Sequence, residues 1–182
     1  MDDSTAVLIY YNNVENGKPS NSKLVSYDAS GENFHGPRTV IEELPSTSEW
    51  RNVSLTSSVR TITTEKGTNS TTGGPLPKSF SYSGKSARLL ITEEINNACG
   101  ITVGKYTTGE LDTCNYLTEN TKYSNVSIGN YGYWLENSHS GYSFSAWLVN
   151  GYSRLVDSLI VSDAGFSGVR PAIEVIKSNI EY

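Results

Sequence analysis

Tyr133-Trp134-Leu135, Ala146-Trp147-Leu148-Val149, Leu159-Ile160-Val161 and Gly168-Val169-Arg170-Pro171-Ala172-Ile173-Glu174-Val175 follow one another within residues 131–176. Each is a short run rich in aromatic and β-branched residues, bounded by Gly, Asn, Asp or Ser, and that pattern reads as a strand. The C-terminal third is therefore expected to be a compact antiparallel sheet. Between the runs lie residues 136–145 and 150–158, loops carrying Tyr, Phe, His, Arg and Asp, side chains that gain much from contact with a partner. The expectation is a rigid frame with an adhesive surface.

Working outward, residues 87–91 form an apolar run that leads into Thr92-Glu93-Glu94-Ile95. A threonine followed by two carboxylates is a helix start, because the hydroxyl can cap free amides and the acids favour the positive end of the helix dipole. A helix is expected over 93–98, with another helical turn or two within 108–117. Upstream, residues 65–77 are rich in Gly, Thr, Ser and Pro and read as a mobile loop and the best internal boundary. Residues 53–64 alternate, with Val53, Leu55, Val59 and Ile62 placed to line a half-buried face. Gly36-Pro37 opens a helix over 38–44, with proline at the permitted first position, Val40, Ile41 and Leu44 at helical spacing, and Pro45 as the stop. Residues 5–11 read as a strand ended by Asn12-Asn13. A loop with Gly17 and Pro19 follows, and 24–27 is a candidate short strand. Phe80-Ser81-Tyr82 is strand-like.

The 182 residues suffice for one domain that buries roughly 70% of its unfolded surface. A formal net charge of −5, with no run of Lys or Arg, argues against nucleic acid, which demands a basic stripe. The hydrophobic share is only 36% and tyrosine, with 12 copies, dominates the aromatics; β-rich extracellular proteins have this character. No segment approaches the ~18 apolar residues of a membrane span, and the first residues lack the basic and apolar regions of a signal peptide, so the sequence reads as a mature or truncated form of a longer precursor. Cys99 and Cys114 read as one disulfide, contributing about 3 kcal/mol in the chain-entropy picture, or as two buried thiols of a reduced protein. With His35 and His139 far away in sequence, they are too few for a zinc site.

Ala87-Arg88-Leu89-Leu90-Ile91-Thr92-Glu93-Glu94, Tyr131-Gly132-Tyr133-Trp134, Ala146-Trp147-Leu148-Val149 and Gly168-Val169-Arg170-Pro171-Ala172-Ile173 occur in an order and at distances that carry a likeness. Over residues 83–180 the chain resembles the C-type-lectin-like domains of secreted or pilin-like proteins of gut bacteria and their phages. More distantly it is similar to the formylglycine-generating-enzyme fold and to the variable proteins of diversity-generating retroelements. The resemblance implies a single α+β domain of C-type-lectin-like fold: a small twisted antiparallel sheet, two short helices and long loops, with 1–82 as a divergent N-terminal part that supplies an edge strand for the C-terminal strand. It further implies that strands ending at Val149 and Val161, with 169–176, form the core sheet, that Trp134, Trp147 and Val149 face inward, and that Arg170 satisfies loop carbonyls or a carboxylate. The two cysteines also fit, since relatives often carry a pair between the Glu-Glu helix and the Tyr-Trp element.

On that scaffold residues 135–145 and 150–166 are expected on the exposed face, where variable relatives meet ligand. The candidate ligand-binding residues are Glu136, His139, Tyr142, Phe144, Leu148, Asn150, Tyr152, Arg154, Asp157, Leu159, Asp163 and Phe166. Tyrosine and its aromatic kin provide large, stiff contact area with a polar tip. For any of Tyr142, Phe144, Tyr152 and Phe166, the core is the competing destination.

Catalysis has few candidates. A Ser/His/Asp set needs a histidine oriented by an acid beside a nucleophile, whereas His139 stands in Ser-His-Ser-Gly and His35 in Phe-His-Gly-Pro, both turn contexts. Neither cysteine occupies the last-third position of the reactive cysteines in the distant enzymes. Glu136, Asn137, Asp157 and Asp163 offer oxygens for calcium, but the Glu-Pro-Asn and Trp-Asn-Asp elements of animal lectins are missing. No enzyme activity, metal or cofactor is expected. The expected function is recognition of a protein or glycan receptor at the cell surface or outside the cell, with diversification as in the retroelement proteins. The alternative is a pilin-like or fibre subunit that uses the same surface to contact pilus or fibre partners.

Overall fold

The structure, a computed structural model, describes residues 4–20, 22–53, 55, 57–61, 79–100, 112–117, 132–139, 141–149 and 156–180. The expected mobile loop over 65–77 lies outside them, as do Ile62 and residues 108–111 of the expected helical turn.

The two ends of the chain are zipped together. Strand β1 (Thr5–Ile9) pairs antiparallel with β9 (Ala172–Ile176), from Thr5 opposite Ile176 to Ile9 opposite Ala172. The zipper continues past the strands: the amides of Tyr10, Val14, Val25 and Asp28 donate to the carbonyls of Pro171, Val169, Ser167 and Val161 at 2.8, 2.8, 2.9 and 3.1 Å. The N-terminal part thus supplies the expected edge strand and, beyond it, a lining for the whole C-terminal segment.

The expected loop after Asn13 is instead a tight hairpin of β2 (Val14–Glu15) and β3 (Lys18–Pro19). Its turn residues, Asn16 and Gly17, have φ of 47° and 70°, the left-handed pair that a two-residue hairpin demands. A Cβ on Gly17 would lie 2.7 Å from Pro45 Cα, so only glycine admits this approach to the end of the first helix. Residues 24–27 form no strand.

Helix α1 (Arg38–Glu42) starts one residue after Pro37, which is its N-cap, and buries Val40, Ile41 and Leu44 as the spacing predicts. Strand β4 (Val59–Thr61) pairs with β5 (Ser79–Ser81). The expected inward face of 53–64 is reversed at Val59, which is 60% exposed, while Phe80 is buried. Helix α2 (Thr92–Cys99) spans the predicted 93–98, but its cap comes from elsewhere. The Thr92 amide donates to Oδ1 of Asn137 at 2.8 Å, and the Ile91 amide to Oε2 of Glu94 at 2.9 Å. Cys99 at its end is disulfide-bonded to Cys114, in a 3₁₀ turn (Asp112–Leu117).

The remaining sheet is three-stranded and antiparallel, in the order β6 (Tyr133–Ser138), β7 (Ser145–Val149), β8 (Val156–Ile160). Every residue of β6 and β7 is buried, because both faces of the sheet are covered. Side chains alternate across a strand. Trp134, Ala146 and Leu148 therefore pack with Val14, Tyr27, Val40, Leu44 and Tyr82 on one face. Tyr133, Leu135, Trp147 and Val149 pack with Leu90, Ile95, Leu117 and the disulfide on the other. The two tryptophans face inward, in opposite directions.

The closing segment does not join this sheet as expected. Gly168 bridges Tyr133, and Ala172 bridges Arg88 before entering the pair with β1. Between them Pro171 has no amide to give and its carbonyl is taken by Tyr10, so the backbone changes partner there. Small antiparallel sheets with two α-helices among the described residues make an α+β architecture.

Candidate functional site

Residues 139–144 connect β6 to β7 and carry three stacked or tilted rings. The His139 ring lies on Trp147, with centroids 4.9 Å apart and planes 25° apart, and is 5.1 Å from the Tyr142 ring. Tyr142 is in turn 5.5 Å from Phe144. Tyr142 and Phe144 are 52% and 49% exposed. Aromatic rings at these separations attract one another, so the rings form a continuous ridge rooted on a buried tryptophan.

The backbone beneath the ridge is held by one buried side chain, Asn33. Its amide nitrogen lies 3.0, 2.8 and 2.7 Å from the carbonyl oxygens of His139, Tyr142 and Ser145. Two amide hydrogens serve three acceptors. The Asn33 backbone amide donates to the Ser143 carbonyl at 2.6 Å, and the Ser138 hydroxyl to the Asn33 carbonyl at 2.8 Å. The loop adds its own bonds: the amides of His139, Ser145 and Gly141 donate to Ser145 O, Tyr142 O and His139 Nδ1 at 3.0, 3.1 and 2.9 Å. Nothing in the sequence marks Asn33, whose partners are more than a hundred residues away; its three carbonyl contacts, not its burial, set it apart from the buried Asn12, Asn13 and Asn137.

The remaining candidates divide. Phe166 is 41% exposed, in the turn that follows β8, and Ile160 at the end of β8 is 49% exposed. The Val161 amide donates to the Phe144 carbonyl at 2.8 Å, which brings the start of this turn to the ridge. Asp163 Oδ1 accepts from the Gly165 amide at 2.8 Å and shapes the turn. Leu159 is half-buried against the core. Glu136 and Leu148, expected on the exposed face, are 2% and 4% exposed. Both belong to strands covered on the two faces, so neither alternate position reaches solvent. Asn150, Tyr152 and Arg154 lie outside the described residues, as does the side chain of Asp157, whose backbone pairs with Leu148.

Glu136 lies instead in a buried ionic cluster. Its Oε2 accepts from the Tyr82 hydroxyl at 3.0 Å and is 4.0 Å from Arg60 Nε. Arg60 Nη2 and Arg88 Nε both donate to Glu174 Oε1, at 2.9 and 2.8 Å. Arg88 also grips both carboxylate oxygens of Glu94. Burial pushes the Glu136 carboxyl up to about 7, against the pull of Arg60, the Tyr82 hydroxyl and Arg88. Arg170 has the expected structural role. Its guanidinium donates to the carbonyls of Tyr10 and Leu117 at 2.7 and 2.8 Å.

The contacts of the two histidines do not make a Ser/His/Asp relay. Ser30 Oγ and Asp28 Oδ2 stand 3.1 and 3.0 Å from the same His35 nitrogen, Nδ1. A relay needs nucleophile and acid on opposite ring nitrogens. His139 Nδ1 accepts from its own loop, at Gly141. Among the described residues no three His, Cys, Asp or Glu side chains gather to hold a metal, and no helix is long and apolar enough to cross a membrane. A cavity of about 300 Å³ beside β1 and α2 is walled by Val7, Ile9, Leu90, Ile95 and Leu117. No family model, curated protein or solved structure matches the chain.

Proposed function

We propose that this is a ligand-recognition protein displayed at the cell surface or secreted, an adhesin or receptor-binding domain that holds its target without transforming it. The observation that carries this reading is the ridge of His139, Tyr142 and Phe144, exposed at its crest yet fixed at its backbone by Asn33. Rigid aromatic side chains lose little freedom on binding, which is why they dominate recognition surfaces. The disulfide suits an oxidising location. The sequence likeness to C-type-lectin-like proteins, including diversified ones, points the same way. The target is a protein or glycan receptor.

Glycan and protein arrays probed with the purified chain, beside a Tyr142→Ser/Phe144→Ser variant, test the reading. Binding that the variant loses supports it. Binding that the variant retains in full assigns recognition to another surface.

A second reading, a pilin-like or fibre subunit, is favoured by β1. Among the described strands it pairs only with β9, and it exposes Leu8 at 43%. An open strand edge of this kind is a template for another chain. Concentration-dependent assembly in light scattering, abolished by Leu8→Lys, would support it over the first.

A further inference from the structure

Two guanidiniums, Arg60 and Arg88, meet three carboxylates, Glu94, Glu136 and Glu174, in one buried cluster. Arg88 donates to both oxygens of Glu94, and both arginines donate to Glu174. Glu136 alone receives no guanidinium hydrogen bond among the described residues, only the Tyr82 hydroxyl. The cluster is electrically neutral when one carboxyl carries a proton, and the carboxyl without a guanidinium is the one that can carry it at least cost.

Arg60 is positioned between the two outcomes. Its Nη2 is on Glu174, while its Nε is buried, has no acceptor among the described residues and stands 4.0 Å from Glu136 Oε2. It is also the most exposed member of the cluster, with 27% of its side chain accessible, on the three-residue strand β4. Of the other groups facing Glu136, Tyr82 directly follows β5 and its amide donates to Ser58 O at 2.7 Å, but its hydroxyl is also tied to the Leu89 amide. Tyr27 donates to the Glu136 carbonyl, Arg88 is anchored to Leu89 O, Glu94 belongs to α2 and Glu174 to β9. Burial holds the Tyr82 hydroxyl well above its ordinary range, so it remains a donor throughout.

From this arrangement we infer that Glu136 is a proton-operated latch between the β4–β5 hairpin and the central sheet: the neutral acid leaves Arg60 on Glu174, and the ionised form draws Arg60 across to itself. The proton passes to solvent, and the hairpin follows Arg60 because the side chain leaves β4 at its centre. Sheet and helix stay in place, since Arg88 retains both Glu94 and Glu174.

Carboxyl ¹³C shifts of glutamate-labelled protein, followed with ¹H–¹⁵N shifts of Arg60 and Phe80 against pH, test the latch on the unmodified chain. The Glu136 carboxyl is expected to titrate near neutrality, against about 4.3 for an unperturbed glutamate, and both amides are expected to shift with the same midpoint. A midpoint below about pH 5 would overturn the proposal. So would a neutral midpoint that the two amides ignore. In Glu136→Gln the amide transition is expected to vanish. Because the folded state holds this proton more tightly than the unfolded chain, its stabilising share is complete below about pH 4.3 and is lost as pH rises through about 7. Over that window the unfolding constant of the natural chain should rise relative to the Gln variant by up to ~10-fold per pH unit.

Discussion

Strands β6 and β7 and the six residues that join them are built from the same kinds of side chain, yet they have opposite fates. Tyr133, Trp134, Leu135, Trp147 and Leu148 are buried, whereas Tyr142 and Phe144 stand about half in water. The difference lies in the backbone. In the strands, cross-strand bonds and, where the β6–β7 register breaks, bonds to Gly168, Leu90 and Tyr27 satisfy the main chain, and two hydrophobic clusters cover both faces, so the polar-out half of the usual alternation is missing. In the connection, Asn33 and the loop's own amides satisfy the main chain, so order is reached without burying the rings. The strands hold the fold by their side chains; the ridge is held by its carbonyls.

The strongest way to break that contrast is at the tryptophans. Trp134 and Trp147 fill opposite faces, and truncating either to alanine should cost roughly 3–5 kcal/mol in urea denaturation. Near-equal costs would establish that both faces carry weight. A cost below about 1 kcal/mol at either would mean that face is not packed. Trp134→Phe should lose less, about 1–3 kcal/mol, because the buried Val25 carbonyl loses its indole donor, now at 2.7 Å. Next in size is the disulfide, which ties α2 to the 3₁₀ turn on the Trp147 face. Replacing Cys99 and Cys114 by serine should cost about 3 kcal/mol, with a sequence separation of 15 residues between them. The ridge rings should remain in place, and ring-proton shifts of Tyr142 would check that.

How far the contrast was legible in sequence follows from its causes. Local signals place the elements where the cause is local: the Thr-Glu-Glu start of α2, although Glu94 and Asn137 rather than the Thr92 hydroxyl cap it, the proline-bounded spacing of α1, and the strand character of 5–9 and 172–176. Arg170 also met the expected role, because an arginine beside a proline in a closing strand has loop carbonyls near it in any compact arrangement. The failures are long-range. Asn16-Gly17 reads as loop in the sequence because its strands are two residues each, too short for a periodic signal. Glu136 reads as the start of a loop because the apolar run ends at Leu135, whereas β6 continues to Ser138, and nothing nearby in sequence announces Tyr82, Arg60 or Arg88. The inward packing of both tryptophans was expected, but not that they face opposite ways, since alternation predicts two faces without saying that both are covered. Asn33 had no signal at all.

Asn33 sharpens the contrast at its hinge. Asn33→Ala removes the donor of three carbonyls and should destabilise the protein by about 1–3 kcal/mol, the penalty for leaving buried acceptors unpaired. The more informative readout is local. Amide exchange should accelerate at His139 and Ser145, while the Trp134 amide, bonded to Gly168 within the core, keeps its protection. Equal acceleration at both places would show that the loop and strands open as one unit, and the distinction between them would fail.

The smallest expected stability effect is at the crest itself. Tyr142→Ser and Phe144→Ser together remove rings that are about half exposed and whose backbone anchors do not depend on them. Surface changes of this kind usually stay within about 0.5 kcal/mol each, so the double variant should unfold almost with the natural chain. On the proposed recognition role its ligand binding should nevertheless fall by about 30-fold or more, the loss that follows from removing one recognition hot spot of about 2 kcal/mol. A double variant that unfolds early would show that the rings are core side chains with an exposed edge. One that unfolds normally and fails to bind would separate the two duties, with folding carried by the strands and recognition by the turn between them.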